Sequence, residues 1–207
     1  MPGEQTGPAP VAAVVLAAGA STRMGENKLL FDIEGEPLVR RVVGRATAAG
    51  LDPVIVVLGY DADRVRRELA GLPCRTVLNP DYANGINGSL KAGIAALDPP
   101  GAAAAAVVLL ADMPLVTAEM IATLVERYRA GTAPLVISDY AGVNAPPMLY
   151  DRSLFSELQA MEGEGCGKQV VRRHRAEAAV VRWPAAALTD LDVPEDCERV
   201  RALLAAG

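Results

Sequence analysis

The sequence predicts an α/β domain built on a mostly parallel sheet, and three observations carry that expectation. Apolar runs at residues 11–18 (VAAVVLAA), 53–58 (PVIVVL) and 105–111 (AAVVLLA) each stop at a glycine or an aspartate. Such runs read as buried strands feeding loops. Between them lie stretches with apolar residues three and four apart, the helical period. Strands alternating with helices imply βαβ crossovers, and crossovers imply parallel neighbours.

At 207 residues the chain suits one domain. Residues 1–10 are expected to be a flexible N-terminal tail, and residues 11–207 a single domain. The tail, MPGEQTGPAP, lacks the basic start and apolar core of a secretion signal. Hydrophobic residues make up 51% of the chain but aromatics only 4%, so the core must be aliphatic. The formal net charge of -5 argues against a nucleic-acid or anionic-membrane surface. No apolar run is long enough to span a bilayer, so cytoplasm is the expected location. Cys74, Cys166 and Cys197 form no CxxC pair, and their odd number argues against a complete disulfide framework.

Taken in order, the first strand at 11–18 gives way to a loop of small residues, Gly19 onward, with Arg23 and Lys28 close behind. Residues 29–33 read as a short extended segment and Glu34-Gly35-Glu36 as a turn. Pro37 suits the first turn of a helix to about Gly50, with Leu38, Val42, Val43 and Ala46 on one face. Its Arg40, Arg41 and Arg45 read as a solvated face. Residues 53–58 form the second strand; Asp61 is placed to cap a helix to about Ala70, and 74–78 is a third strand. Residues 79–89, NPDYANGINGS, are turn-rich, with Ser89 expected to cap a helix over 90–97. A strand at 105–111 ends at Asp112-Met113-Pro114. Thr117 is placed to cap a helix to Tyr128 or Arg129, and 134–138 is the next strand. Residues 139–147 read as a loop, 151–161 as a helix, 169–175 as a helix and 178–182 as a late strand. Pro194 opens the last helix, with Glu195 and Asp196 at its positive end.

The chemistry concentrates at strand ends. Small residues after the first strand let backbone N–H groups approach phosphate oxygens. Arg23, a planar donor fork, and Lys28, a point charge, then suit a polyphosphate. A strand, a turn and two solvated cations would look the same in isolation. Asp112 stands at the end of a strand, the usual ligand crevice of an open α/β sheet. Magnesium takes one or two carboxylates plus substrate phosphates, which suits Asp112; a turn aspartate is the plainer alternative. The cluster Lys168, Arg172, Arg173, His174 and Arg175 suits an anionic acceptor or, equally, a solvated helix end. His174 is the only histidine, has no partner for a zinc site, and is assigned no catalysis.

The ordered string LAAG-x-S-x-RMG-x-x-K, Leu16 to Lys28, resembles the signature loop of nucleotidyltransferases that act on the molybdenum cofactor. These are the molybdopterin cytidylyltransferases and guanylyltransferases, the MobA-like NTP transferases, within the nucleotide-diphosphosugar transferase superfamily. Three later segments resemble that family in order: Asn79 to Ser89, Ala111 to Leu115, and Thr189 to Asp196. The chain departs from the family at Asn144-Ala145-Pro146-Pro147, where many members carry Gly-His-Pro beside the acceptor, and at Val193, usually Thr.

The resemblance implies a three-layer α/β/α Rossmann-like nucleotide-diphosphosugar transferase fold with a mostly parallel mixed sheet. It implies nucleotide binding by Leu16, Ala17, Ala18, Gly19, Arg23, Lys28, Asn79, Gly88 and Ser89. Arg23, Lys28 and Asp112 are the implied catalytic residues, and Asp112 with Asp192 the implied Mg²⁺ ligands, Asp190 being a weaker choice. The implied reaction is attack of an acceptor phosphate on the α-phosphate of an NTP, releasing pyrophosphate. An ionised phosphate needs no protein nucleophile and no strong base. Cytidylyltransferases carry Ala-Ala-Gly where guanylyltransferases more often carry Ala-Gly-Gly, and Ala17-Ala18-Gly19 points to CTP. Molybdopterin is the implied acceptor, and a molybdoenzyme or its maturation chaperone the implied protein partner. GTP, a sugar phosphate, a polyol phosphate and phospholactate stay open, as do an NAD(P)H-dependent oxidoreductase of a heterocycle and a nucleotide-binding regulator. No GxGxxG follows the first strand to support the oxidoreductase.

Overall fold

The computed structural model describes residues 9–20, 27–97, 103–163, 165–189, 191 and 194–205. Strand β1 (Val11–Ala17) leads to a 3-10 turn, Lys28–Leu30. The hairpin β2 (Asp32–Ile33) and β3 (Glu36–Pro37) and helix α1 (Leu38–Ala48) follow. Then come β4 (Val54–Leu58), α2 (Ala62–Glu68), β5 (Arg75–Leu78), α3 (Ile86–Ala95), β6 (Ala105–Leu110) and α4 (Ala118–Arg129). The remainder is β7 (Leu135–Tyr140), β8 (Val143–Asn144), β9 (Met148–Asp151), α5 (Phe155–Ala160), α6 (Cys166–Arg173), β10 (Ala179–Trp183) and α7 (Pro194–Ala205).

One mixed sheet runs β10-β7-β9-β6-β1-β4-β5, with β8 paired to β7. β1 is parallel to both β4 and β6, β4 is parallel to β5, and β10 is parallel to β7. Only β8 and β9 run antiparallel to their neighbours in this sheet. Alternate residues of β1 enter opposite cores, as the two-residue period of a strand requires. Val11, Ala13 and Val15 pack with Leu38, Val42, Ile121 and Leu124 from α1 and α4. Ala12 and Val14 pack with Leu90, Ile94, Leu158 and Val170 from α3, α5 and α6. The three-layer α/β/α expectation therefore holds, with strands apolar throughout because both faces are covered. Each fully buried Val or Leu contributes about 1.5–3 kcal/mol.

Several local expectations are corrected. Residues 29–33 are not one extended segment. Asn27 accepts the Leu29 N–H at 3.1 Å and so starts a 3-10 turn before β2. Asp61 sits at the head of α2 but in the left-handed region (φ 53) and does not cap it; its carboxylate pairs with Arg64 at 3.0 Å instead. Helix α3 begins at Ile86, so Ser89 lies inside it rather than at its cap. Within 139–147 the chain makes β8, and the start of the expected 151–161 helix belongs to β9 and a 3-10 turn. Thr117 does cap α4, accepting the Met120 N–H at 3.2 Å.

Gly93 lets α3 sit against the sheet. A Cβ there would lie 2.3 Å from Val14 Cγ1 and 3.0 Å from Val57 Cγ2. Gly93→Ala is expected to destabilise the protein by about 1–3 kcal/mol despite the better helix propensity of alanine. Urea unfolding checks this, and an unchanged midpoint would show that the α3 face is loosely packed.

Candidate active site

The site forms where chain direction along the sheet reverses. From β1 the chain crosses to β4 and β5 on one side, then returns to place β6 on the other. An open α/β sheet binds ligands in the crevice beyond such a reversal. Leu16 is in register with both Val57 and Leu110. The Ala111 N–H continues the pairing by donating to the Leu16 carbonyl at 3.1 Å. The loop after β1 and the turn after β6 thus leave the sheet side by side.

The backbone around Ala18 is fixed from beneath. Tyr60 N–H donates to its carbonyl at 3.1 Å. A Cβ on Gly59 would stand 2.7 Å from that oxygen and 2.6 Å from Tyr82 Cβ, so only glycine fits there. Gly19 is the opposite case: it is exposed, and an added Cβ would meet nothing within 4 Å. Its missing side chain leaves room above the backbone for a ligand. A cleft of about 260 Å³ opens here, lined by Ala18, Gly19, Lys28, Tyr82, Ser89 and Asp112. Leu16 and Ala17 also line it.

Lys28 Nζ lies 2.7 Å from Asp112 Oδ2, with the side chains 13% and 23% exposed. The pair is therefore sheltered but reachable from the cleft. Lys28 is held by the turn that Asn27 caps and that buried Leu29 anchors. Asp112 is held twice. Leu191, itself buried, donates its N–H to the Asp112 carbonyl at 3.1 Å. Arg45 of α1 donates to the Pro114 carbonyl and, at 2.6 Å, to that of Val116. Burial, with Arg41 adding repulsion, pulls the Arg45 pKa down to about 10, so it stays charged near neutrality. The solvated-face expectation for α1 is corrected here: Arg45 clasps the turn after Asp112. Arg40 likewise donates to the Glu68 and Ala70 carbonyls at 2.8 and 2.9 Å. Sequence could not reveal either bond, because both partners are backbone carbonyls of distant turns.

Asn79 does not line the cleft. Its N–H donates to the Leu58 carbonyl at 2.8 Å, its Oδ1 accepts the Asp81 N–H at 3.1 Å, and its Nδ2 donates to Ser89 Oγ at 3.0 Å. It orients Ser89, which does face the cleft. Gly88 serves the same contact, since a Cβ there would press on Asn79 Nδ2 at 3.2 Å. The cleft is also lined by Gly85 and Ile86, at the start of α3, where the unbonded first-turn amides of a helix favour an anion. Arg23, Asp190 and Asp192 lie outside the described residues.

A second pocket, about 810 Å³, adjoins the first and shares Leu16, Ile86 and Leu110 with it. Lys168, Arg172 and Arg175 line this pocket. The rest of the basic cluster turns elsewhere: His174 Nε2 lies 2.7 Å from Glu157 Oε2, and Arg173 donates to Oε1 at 3.0 Å. The His174 bond and then the Arg173 bond hold the Glu157 carboxyl below its ordinary range.

Asp112 is the carboxylate of the cleft among the described residues, which contain no group of three or more metal-ligating side chains. A single carboxylate is the kind of donor that a hard divalent cation shares with phosphate oxygens and water. No helix among the described residues is long and apolar enough to cross a membrane.

The MobA-like NTP transferase domain model matches residues 13–179. The bifunctional protein GlmU of Pelotomaculum thermopropionicum is 35% identical over 131 residues, 62% of this chain and 28% of GlmU. The chain thus spans under a third of the length of that relative. The purine catabolism protein PucB of Bacillus subtilis is 27% identical over 201 residues, 91% of this chain and 94% of PucB. Among solved structures, the Rv0371c homolog from Mycobacterium sp. strain JC1 superposes with a TM-score of 0.79 at 30% identity, covering 95% of this chain and 97% of its own. Rv0371c of Mycobacterium tuberculosis in complex with manganese superposes with a TM-score of 0.76 at 25% identity, covering 93% and 98%.

Arg45→Met keeps the apolar stem but strands two carbonyls. It is expected to lower stability by about 1–3 kcal/mol in thermal unfolding. A variant as stable as the parent would show that the clasp is not formed in solution.

Proposed function

This chain belongs to the MobA-like NTP transferase family, and from that premise we propose that it transfers CMP from CTP to a phosphate-bearing acceptor, molybdopterin being the first candidate. The observation that carries the reading is the Lys28–Asp112 pair, 2.7 Å apart in the cleft beside Gly19. A cation and a carboxylate that neutralise one another at rest can exchange partners when a nucleotide arrives with its metal. Lys28, joined by Arg23, would then face the triphosphate. The amides of the Ala18–Gly19 loop and of the α3 start would meet phosphate oxygens or the base, with Leu16, Ala17 and Ser89 lining the nucleotide.

Asp112 would hold Mg²⁺, and Asp192 is proposed as the second ligand because its neighbour Leu191 is bonded to the Asp112 carbonyl. When bound, Mg²⁺ supplies Lewis-acid charge neutralisation at the phosphates. The chain's own part is positioning. An oxygen of the acceptor phosphate attacks the α-phosphorus, the α–β bridging bond breaks, and pyrophosphate departs with the electron pair. Lys28 neutralises charge as it accumulates on the leaving group. CTP is preferred in this reading because the Ala18 methyl crowds a purine more than a pyrimidine. A molybdoenzyme or its maturation chaperone would receive the product in the cytoplasm.

Calorimetric titration in Mg²⁺ is expected to show tighter binding of CTP than of GTP, and the reverse order would refute the base assignment. Asp112→Ala is expected to lose Mg²⁺-dependent pyrophosphate release by on the order of a hundredfold or more. Unchanged turnover would mean that the metal is held elsewhere.

A further inference from the structure

The loop between β8 and β9 contains two consecutive residues without an N–H, Pro146 and Pro147. Pro147 is buried, and its carbonyl still needs a donor. Side chains of β7 supply the donors. Ser138 Oγ donates to the Pro147 carbonyl at 2.6 Å, and Tyr140 Oη donates to that of Pro146 at 2.9 Å. Ser138 also holds the loop by its backbone, its carbonyl accepting the Ala145 N–H at 3.4 Å.

Ser138 is fully buried, and its hydroxyl has a single proton. Once that proton is given to Pro147, only the oxygen lone pairs are left for a second partner. Trp183 of β10 is that partner: its Nε1 donates to Ser138 Oγ at 2.9 Å. An indole N–H can only donate, so the relay has one direction, from Trp183 through Ser138 to the Pro147 carbonyl. With the indole on its oxygen, the hydroxyl is held with its proton toward the loop, and each bond polarises the next. Strand register puts the indole within reach. β10 runs parallel to β7 with Val181 opposite Ser138, so Trp183, two residues on, lies on the same face of the sheet as Ser138.

The far end of the relay reaches the site. Asn144, Pro146 and Met148 line the larger pocket beside the nucleotide cleft, whereas Ser138 and Trp183 do not. No residue of this loop lines the nucleotide cleft. Trp183 also lies past residue 179, where the match to the family model ends.

We propose that Trp183, the only tryptophan of the chain, is a positioning residue for the acceptor side of the reaction. Acting through Ser138, it fixes the Pro146-Pro147 loop and so the shape of one wall of the larger pocket. The word acceptor rests on the nucleotidyltransferase reading; the relay stands on its own bonds. A preorganised wall binds a ligand without first being ordered, so losing the relay weakens acceptor binding and leaves the nucleotide cleft as it was.

The test uses the full-length chain with two readouts. The first is hydrogen exchange followed by mass spectrometry. Trp183→Phe keeps an aromatic ring but removes the N–H, and exchange over residues 143–145 is expected to quicken about tenfold, with α1 and α3 unchanged. The second is pyrophosphate release from CTP and Mg²⁺ with molybdopterin as acceptor. The KM for molybdopterin is expected to rise about tenfold in Trp183→Phe, while the KM for CTP stays within about twofold of the parent. Ser138→Ala cuts the same relay at its middle and should give the same pattern. Adding Trp183→Phe to Ser138→Ala should then change the molybdopterin KM by less than about twofold, because the two residues act as one unit. Unchanged loop exchange in Trp183→Phe would overturn the proposal. So would additive losses in the double variant, which would mean that Trp183 acts by another route, or an equal loss of CTP affinity, which would make its role general to the fold. Absence of pyrophosphate release in the parent would strike the proposed reaction instead, and loop exchange in the single and double variants would still decide the relay.

Discussion

Everything functional in this molecule follows from β1 lying between two parallel neighbours. β4 and β6 both pair with it in one direction, so three strand ends open on the same edge of the sheet. The pairing is specified by burial. Residues of β1 alternate between two apolar cores, and a slip of one residue would exchange their faces. That register carries Gly19 and Asp112 to one crevice. The Lys28–Asp112 contact is then a local consequence, made by a short capped turn that brings the lysine back over the end of β6.

Around that crevice the turns carry few amide bonds of their own, such as Val116 N–H to the Met113 carbonyl at 3.4 Å, and side chains add to them. Pro114, Pro146 and Pro147 cannot donate, so the structure grips their carbonyls with side chains from other elements. Arg45 reaches across from α1 to the turn after Asp112, while Ser138 and Tyr140 reach from β7 to the double-proline loop. Asn79 does comparable work for Ser89. The side chains that fix these backbones, Arg45, Asn79, Ser138 and Tyr140, are not among those that line the cleft. This division leaves Lys28 and Asp112 as the charged pair of the cleft among the described residues, on a scaffold held by other side chains.

The sequence made the architecture legible because its strands are buried on both faces. Runs such as 54–58 are apolar throughout and need no partner to be recognised. The part of the first loop that lines the cleft, Leu16 to Gly19, is likewise consecutive in sequence. Elements whose identity depends on remote partners were not legible. β9 is four residues long and is a strand because β6 and β7 flank it, which no local pattern records. Sequence order puts Asn79 with the nucleotide contacts, while in the fold its side-chain amide bonds Asp81 and Ser89. Arg45 looks solvated in sequence because its partners lie about seventy residues downstream, as carbonyls that carry no side-chain signature. The basic run after Gly167 was one cluster in sequence, but the fold sorts it into Lys168, Arg172 and Arg175 at the pocket, and Arg173 with His174 on Glu157.

A nucleotide seated between the β1 loop and the end of β6 is the premise of the proposed reaction. A crystal structure with CTP and Mg²⁺ addresses that claim most directly. The account predicts the triphosphate against the amides of Ala18 and Gly19, Lys28 turned from Asp112 to a phosphate, and the metal on the freed carboxylate. A nucleotide bound elsewhere, with the Lys28–Asp112 pair still closed, would contradict it.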